Sequence, residues 1–286
     1  MENTRLISGE IGNGRAEPRA HSASDASQGT YSALGVSWEL RADCAPVYRA
    51  LLERLPPAAA PSTDRNVDRS YALRTVPATI SEREASYILL ADGRPLIRSS
   101  AAAEIADTFE ENLRWLVAER SPRRVFIRAG VVGWRDRAIV IPGGRSTGKS
   151  MLVRALVAAG ASYFSDDYAV LDGNLVQPYP ACFPYLPPSS SGISCWLEEH
   201  AATREPKPVP VGVVLFAPYQ PGAVFKPKLI SRGKALLGLF KHAVAAQRNP
   251  AQVLRTLETV TRRCNALESV RGDARTVASY LLERLV

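Results

Sequence analysis

Ile141-Pro142-Gly143-Gly144-Arg145-Ser146-Thr147-Gly148-Lys149-Ser150, continuing as MLVRALVAAGA through residue 161, decides how the rest of the chain is read. Residues 143–150 match G-x-x-x-x-G-K-[ST], between an apolar strand and an amphipathic helix that should start at Lys149 and stop at Gly160. The residue types follow from the chemistry of a phosphate-binding loop. Gly143, Gly144 and Gly148 let the backbone turn, so that N–H groups of the loop, Arg145, Ser146 and Thr147 included, point inward at phosphate oxygens. Lys149 neutralises the β- and γ-phosphates, the Ser150 hydroxyl ligates Mg²⁺, and the helix adds its positive N-terminal end. The implied ligands are ATP and Mg²⁺. Arg145 either touches phosphate or is solvated.

Asp166-Asp167 follows about sixteen residues after Ser150, at the end of the strand-like segment Ala161 to Phe164. A strand, loop, helix and strand in succession return this pair to the loop. Two carboxylates beside bound Mg·ATP divide the labour: one holds the metal, directly or through water, and the other accepts a proton from an attacking hydroxyl. Adjacent residues on extended backbone point in opposite directions, so the two are not equivalent. The expected assignment is Asp166 as base and Asp167, with Ser150, on the metal side.

Composition bounds the alternatives. The chain has 286 residues, 46% hydrophobic and 22% charged, which suits a globular protein with one large or two small domains and excludes full-length disorder. No apolar run approaches the roughly 18 residues of a spanning helix, and the N-terminus lacks the apolar region of a secretory signal. The four cysteines form no C-x-x-C pair, which argues against zinc and against a disulfide framework, and predicts reduced thiols in a cytoplasmic protein. The net charge of +8 fits an acidic partner. With no RGG tract, basic run or aromatic ladder, the sequence argues against nucleic acid. Homo-oligomer formation is left open.

Along the chain, residues 1–28 read as a flexible leader and residues 29–120 as a small α+β region. There Tyr31 to Leu40 suits a strand, Val47, Leu51, Leu52 and Leu55 recur at helical spacing before Pro56, and AAAPSTDRN is a loop. Ser70 to Arg74 and Ser86 to Leu90 read as strands, and Asp92-Gly93 marks a hairpin. Ser100 should cap a helix with Ile105, Phe109, Leu113 and Leu116 on one face, ending near Arg120. That helix should pack the first region onto the second, residues 121–286.

In the second region Val125 to Trp134 and Arg137 to Ile141 form a hairpin ahead of the loop, and Asp172-Gly173 marks another turn. Residues 181–208 read as a long loop able to cover the site, and Val211 to Phe216 as a buried strand. Asn249, Pro250 and Gln252 open a helix whose stripe is Val253, Leu257, Val260, Cys264 and Leu267. A last helix runs from about Asp273 to Leu285. Lys226, Lys228, Arg232 and Lys234 are read as a solvated charged loop or as contacts to ATP or an acidic substrate. Trp115 and Trp196 are read as core and loop packing, and His200 and His242 as isolated.

GGRSTGKSMLVRALVAAGASYFSDDYAVLD resembles the catalytic core of the HPr serine kinase/phosphorylase family, over roughly residues 124–180 and more loosely to 286. The resemblance implies an α/β fold of the mixed α+β kind shared with phosphoenolpyruvate carboxykinase, and ATP-dependent phosphorylation of a hydroxyl. The chain looks closer to accessory kinases of peptide natural-product clusters, such as those acting on a serine of a lasso-peptide precursor, than to true HPr kinases. In the segment Phe126-Ile127-Arg128-Ala129-Gly130, Arg128 stands where the family carries a histidine. An arginine is a fixed cation with no acceptor, suited to clamping a γ-phosphate or an acidic substrate.

The leading functional expectation is a kinase for serine in a peptide or protein. A kinase for a small hydroxyl compound, such as free serine or a sugar, and a non-catalytic nucleotide-binding regulator, which Arg128 favours, stand as alternatives. The sequence lacks helicase motifs, which sets aside a nucleic-acid motor.

Overall fold

The computed structural model describes residues 27–78, 84–144, 147–180 and 207–284. The first sheet uses β1 (Ser27–Ala33), β2 (Val36–Ala42), β3 (Ala60–Pro61), β4 (Arg69–Val76), β5 (Ser86–Ala91) and β6 (Arg94–Ser99), in the order β3-β1-β2-β4-β5-β6. Only β2 and β4 run parallel; α1 (Ala45–Leu52) sits in the crossover between them. Val36, Trp38 and Leu40 alternate inward on β2, and Tyr71 and Leu73 on β4. Together with α1 they pack against α2 (Ala102–Arg120), which buries Ile105, Phe109, Leu113 and Leu116, the face its spacing predicts.

The second sheet is also mixed, which makes the whole an α/β protein of the mixed α+β kind. It contains β7 (Val125–Trp134), β8 (Arg137–Pro142), β9 (Ser162–Ser165), β10 (Tyr168–Asp172), β11 (Leu175–Gln177), β12 (Val209–Phe216), β13 (Lys228–Leu229) and β14 (Asn265–Glu268). Its order is β11-β10-β7-β8-β12-β14-β13, with β9 pairing the far half of β7. β8, β12 and β14 are parallel. Helices cover both faces, so these strands read as continuous apolar runs such as Ala138 to Ile141. On one face lie α3 (Lys149–Ala158) and α6 (Ala274–Arg284), through Leu152, Leu156, Val277 and Leu281. On the other lie α4 (Arg232–Phe240) and α5 (Pro250–Thr261), through Leu239, Val253 and Leu257.

Glycine is required where α3 meets β7: a Cβ on Gly130 would come within 2.6 Å of Val153 Cγ2. The first core continues into the second sheet through Phe126, Tyr168, Val170 and Tyr179, so the two sheets share a hydrophobic cluster. Among the described residues no helix is long and apolar enough to cross a membrane.

Several local expectations change. The stretch Tyr31 to Leu40 is a hairpin rather than one strand, turning at Leu34 (φ 53) and Gly35 (φ 83). The same left-handed pair occurs at Asp92-Gly93 and Arg135-Asp136. β1 begins at Ser27, inside the expected leader, and β3 interrupts the loop AAAPSTDRN. Ala101, not Ser100, is the N-cap of α2; Ser99 Oγ accepts from the Ala101 N–H at 3.0 Å and donates to Glu104 at 2.6 Å.

α5 stops at Thr261, so Cys264 lies past its end and Leu267 belongs to β14. The Asn249 cap holds as expected, its Oδ1 accepting from the Gln252 N–H at 3.3 Å. α4 occupies part of the segment read as a charged loop. Residues 1–26, Leu285 and the expected covering loop up to residue 206 lie outside the described residues.

Leu156 is fully buried whereas Met151 on the same helix is 61% exposed. Leu156→Ala should therefore cost about 2–5 kcal/mol. Met151→Ala should stay within about 0.5 kcal/mol of wild type in urea unfolding.

Candidate functional site

The loop between β8 and α3 is anchored at its start by the Gly143 N–H, which donates to the Arg128 carbonyl on β7 at 3.1 Å. At its end Gly148 is the N-cap of α3 with φ 77, a left-handed conformation that suits glycine. Inside the turn, Thr147 Oγ1 donates to the Gly144 carbonyl at 3.0 Å and Lys149 Nζ donates to the same oxygen at 2.6 Å. Burial lowers the Lys149 pKa; Asp167 and Asp166 oppose that shift, and Arg128 adds to it. Arg145 and Ser146 lie outside the described residues.

β9 runs back beside β7 and delivers the aspartates. Ser150 Oγ, in the first turn of α3, donates to Asp166 Oδ2 at 3.1 Å, and the Tyr163 hydroxyl donates to Oδ1 at 3.2 Å. Asp166 is 8% exposed. Burial raises its pKa, Asp167 adds to the shift, and the Ser150 and Tyr163 hydrogen bonds oppose it. Asp167 projects differently: its side chain is 41% exposed and its Oδ2 lies 3.6 Å from Arg114 Nε. Ser165 Oγ accepts from the N–H groups of Asp167 and Tyr168, at 3.2 and 3.1 Å, and so fixes the turn between the two carboxylates and β10.

Gly143, Gly144, Thr147, Gly148, Lys149, Ser150, Asp166, Asp167 and Arg128 thus converge. Arg128 is held over two rings, 5.1 Å from the Trp115 centroid and 5.8 Å from that of Tyr168. Trp115 is therefore a partly exposed platform at the site instead of core. Lys234 is paired with Glu268 at 2.5 Å, and Lys226, Lys228 and Arg232 are exposed. Trp196 and His200 lie outside the described residues.

Arg114, His242 and Arg271 also gain a place at the site that the sequence reading did not give them. Arg114 of α2 is 5% exposed, packs 4.7 Å from the Tyr179 ring centroid and 5.8 Å from that of Tyr168, and leaves Nη2 without a hydrogen-bond partner. Its position at a helix face was legible; its partner across the sheet was not. The His242 carbonyl accepts from the Arg128 N–H at 2.8 Å, and burial, with the charges of Lys149 and Lys241, lowers the pKa of its imidazole. Arg271, 1% exposed, donates through Nη2 to the Gly148 carbonyl at 2.6 Å. A cleft of about 1280 Å³ opens at Gly148 and runs along α3, with Met151, Arg154, Tyr219, Ala223 and Arg275 among its walls.

The donor set fits Mg²⁺: a hydroxyl and a carboxylate oxygen 3.1 Å apart, beside a second carboxylate, are hard oxygen ligands. The turn that places them next to a lysine and a helix N-terminus fits a polyphosphate.

No family model matches the chain, and no curated protein is similar to it in sequence. Among solved structures it is similar to the Hpr(Ser) kinase/phosphatase from Coxiella burnetii, at 10% identity, over 55% of this chain and 93% of that one, with a TM-score of 0.27.

Proposed function

We propose that the protein is an ATP-dependent phosphotransferase that phosphorylates a hydroxyl, the acceptor being a serine of a peptide or protein. Residues 121–286 would form the ATP-binding catalytic domain, with residues 29–120 as a companion α+β region. The observation that carries this reading is the Ser150–Asp166 hydrogen bond of 3.1 Å in the first turn after the glycine-rich loop. It sets a metal-side carboxylate against the expected Mg²⁺ ligand, with Lys149 and a second carboxylate alongside. The choice of a serine in a peptide rests on the motif resemblance to accessory kinases of peptide clusters.

The same hydrogen bond supports exchanging the roles expected from sequence. Ser150 and Asp166 would hold Mg²⁺, which when bound neutralises charge on the β- and γ-phosphate oxygens. Asp167, more exposed and beside Arg114, would take the proton of the acceptor hydroxyl as the hydroxyl oxygen bonds to the γ-phosphorus. The bond from that phosphorus to the β-phosphate bridging oxygen breaks, and ADP leaves. Lys149 would move from the Gly144 carbonyl to the transferring phosphate. Arg128 would hold the γ-phosphate or an acidic group of the acceptor, and the cleft at Gly148 would seat the nucleoside.

Incubation with Mg·ATP and a panel of serine peptides and small hydroxyl compounds, followed by mass spectrometry, tests the reading; no phosphorylated product across the panel would count against it. Asp167→Asn should lower kcat by about 10²–10⁴ with little change in Mg·ATP affinity. Asp166→Asn should instead weaken the Mg²⁺ dependence of binding. Lys149→Ala should abolish transfer and weaken ATP binding while the fold survives, read by circular dichroism.

The raised pKa of Asp166 fixes a pH dependence. Metal binding needs the ionised carboxylate, and burial makes it take up a proton at higher pH than usual. Mg·ATP affinity measured by calorimetry should therefore fall on acidification from above the ordinary carboxylate value of about 4. Asp166→Asn should flatten that limb.

A further inference from the structure

Arg271 is a buried cation whose hydrogen-bond partners among the described residues are backbone carbonyls. Its Nη2 donates to the Gly148 carbonyl at 2.6 Å and its Nε to the Ala217 carbonyl at 3.1 Å, while Nη1 stands 3.5 Å from the Gly272 carbonyl. The Tyr219 ring covers it, 5.7 Å from the guanidinium carbon to the centroid. Among the described residues no carboxylate is paired with it. Most buried charges are matched by an opposite charge, because desolvation of an isolated ion is costly. Burial lowers its pKa and Tyr219 opposes that shift, as befits a cation with no counter-charge among the described residues.

The surrounding backbone forms a strut behind the phosphate loop. The Arg271 N–H donates to the Pro218 carbonyl at 3.1 Å, the Gln220 N–H to the Arg271 carbonyl at 2.8 Å, and the Tyr219 N–H to the Thr147 carbonyl at 3.3 Å. Two consecutive carbonyls of the loop, those of Thr147 and Gly148, are thus held from outside. A peptide unit is planar and its C=O and N–H point in opposite directions. Holding the Gly148 carbonyl therefore aims the Lys149 N–H the other way, into the cradle. Leu152 N–H shares that carbonyl at 3.2 Å as the first helical bond. A Cβ at Gly148 would stand 2.6 Å from Arg271 Nη2, so a side chain there would push the guanidinium off the Gly148 carbonyl.

We propose that Arg271 is a positioning residue for the phosphate loop, whose guanidinium holds the Gly148–Lys149 peptide from behind and whose missing counter-charge is supplied by the bound polyphosphate. This rests on the phosphate-loop reading above. Arg271 touches no phosphate itself; it acts through the peptide that does and through its charge behind it. The class of ligand it favours is polyanionic, a nucleoside triphosphate or its bare triphosphate moiety.

The test uses the full chain with Mg·ATP and magnesium tripolyphosphate as probes, by calorimetry. Arg271→Gln keeps amide donors for the carbonyls and loses the charge; Arg271→Lys keeps the charge and loses the fork. The expected result is affinity about tenfold weaker or more for both probes in Arg271→Gln, and within about threefold of wild type in Arg271→Lys. A purely structural role would weaken both variants alike. Should Arg271→Gln not fold, citrulline installed at position 271 by peptide ligation gives the arginine shape without its charge, and the same loss is expected. Wild-type affinity in the neutral variant, or equal loss in the neutral and the lysine variants, overturns the proposal. A wild type that binds neither probe removes the phosphate-loop reading itself. A wild type that binds both while the neutral variant matches it removes only the role of Arg271.

Discussion

Two backbone hydrogen bonds on consecutive residues of β7 join everything at the site. The Gly143 N–H rests on the Arg128 carbonyl at 3.1 Å, and the Ala129 N–H rests on the Asp167 carbonyl at 3.0 Å. The first bond fixes where the glycine-rich loop departs from β8; the second fixes where the aspartate pair crosses from β9 to β10. The next residue, Gly130, lets α3 close onto the strand. Three positions of one strand therefore set the distance between the loop, its helix and the carboxylates. The side chain at the first of them, Arg128, faces the same region.

Around that joint the charges are unevenly distributed. Two carboxylates share the site with Lys149, Arg114, Arg128 and, behind the loop, Arg271. Each of the three arginines lies near an aromatic ring, where the ring face attracts the cation without neutralising it. The result is a region that favours anions while leaving the arginines little conformational freedom. Two of the contributors, Arg114 and Trp115, come from α2, the helix that covers the first sheet. The first sheet is tied to the site by these side chains and by the shared core through Phe126, Tyr168 and Tyr179. A boundary drawn between the two regions would cut through the environment of Asp167.

Local chemistry was legible in the sequence, and cross-chain chemistry was not. The glycine-rich loop, the Asp pair and the Asp-Gly hairpin announce themselves because a few adjacent residues dictate their conformation. The turn at Leu34-Gly35 is silent because leucine is a poor residue for a left-handed position and gives no turn signal. Cys264 and Leu267 fall on the helical period of α5 by coincidence, and the four-residue β14 is too short for alternation to show. What makes it a strand is the parallel edge of β12, a partner about fifty residues away in sequence. Arg271 has no signature at all, since its role comes from carbonyls at 148 and 217. The proposed assignment within the Asp pair is of the same kind: alternation says that the two differ, and the proposed exchange of their roles rests on the position of Ser150.

The lysine of the loop is not waiting free. Its ammonium group already donates to the Gly144 carbonyl at 2.6 Å, which on the proposed reading would stand in for a phosphate oxygen. Any incoming anion competes with that carbonyl for the same proton donor, so capture is an exchange of partners and not a simple gain. An anion too short to reach both the loop amides and the lysine leaves the surrogate in place and forgoes the lysine's attraction. A longer chain of phosphates spans both and displaces it. On the proposed reading the self-contact would work as a length filter, raising the threshold for orthophosphate and other small anions.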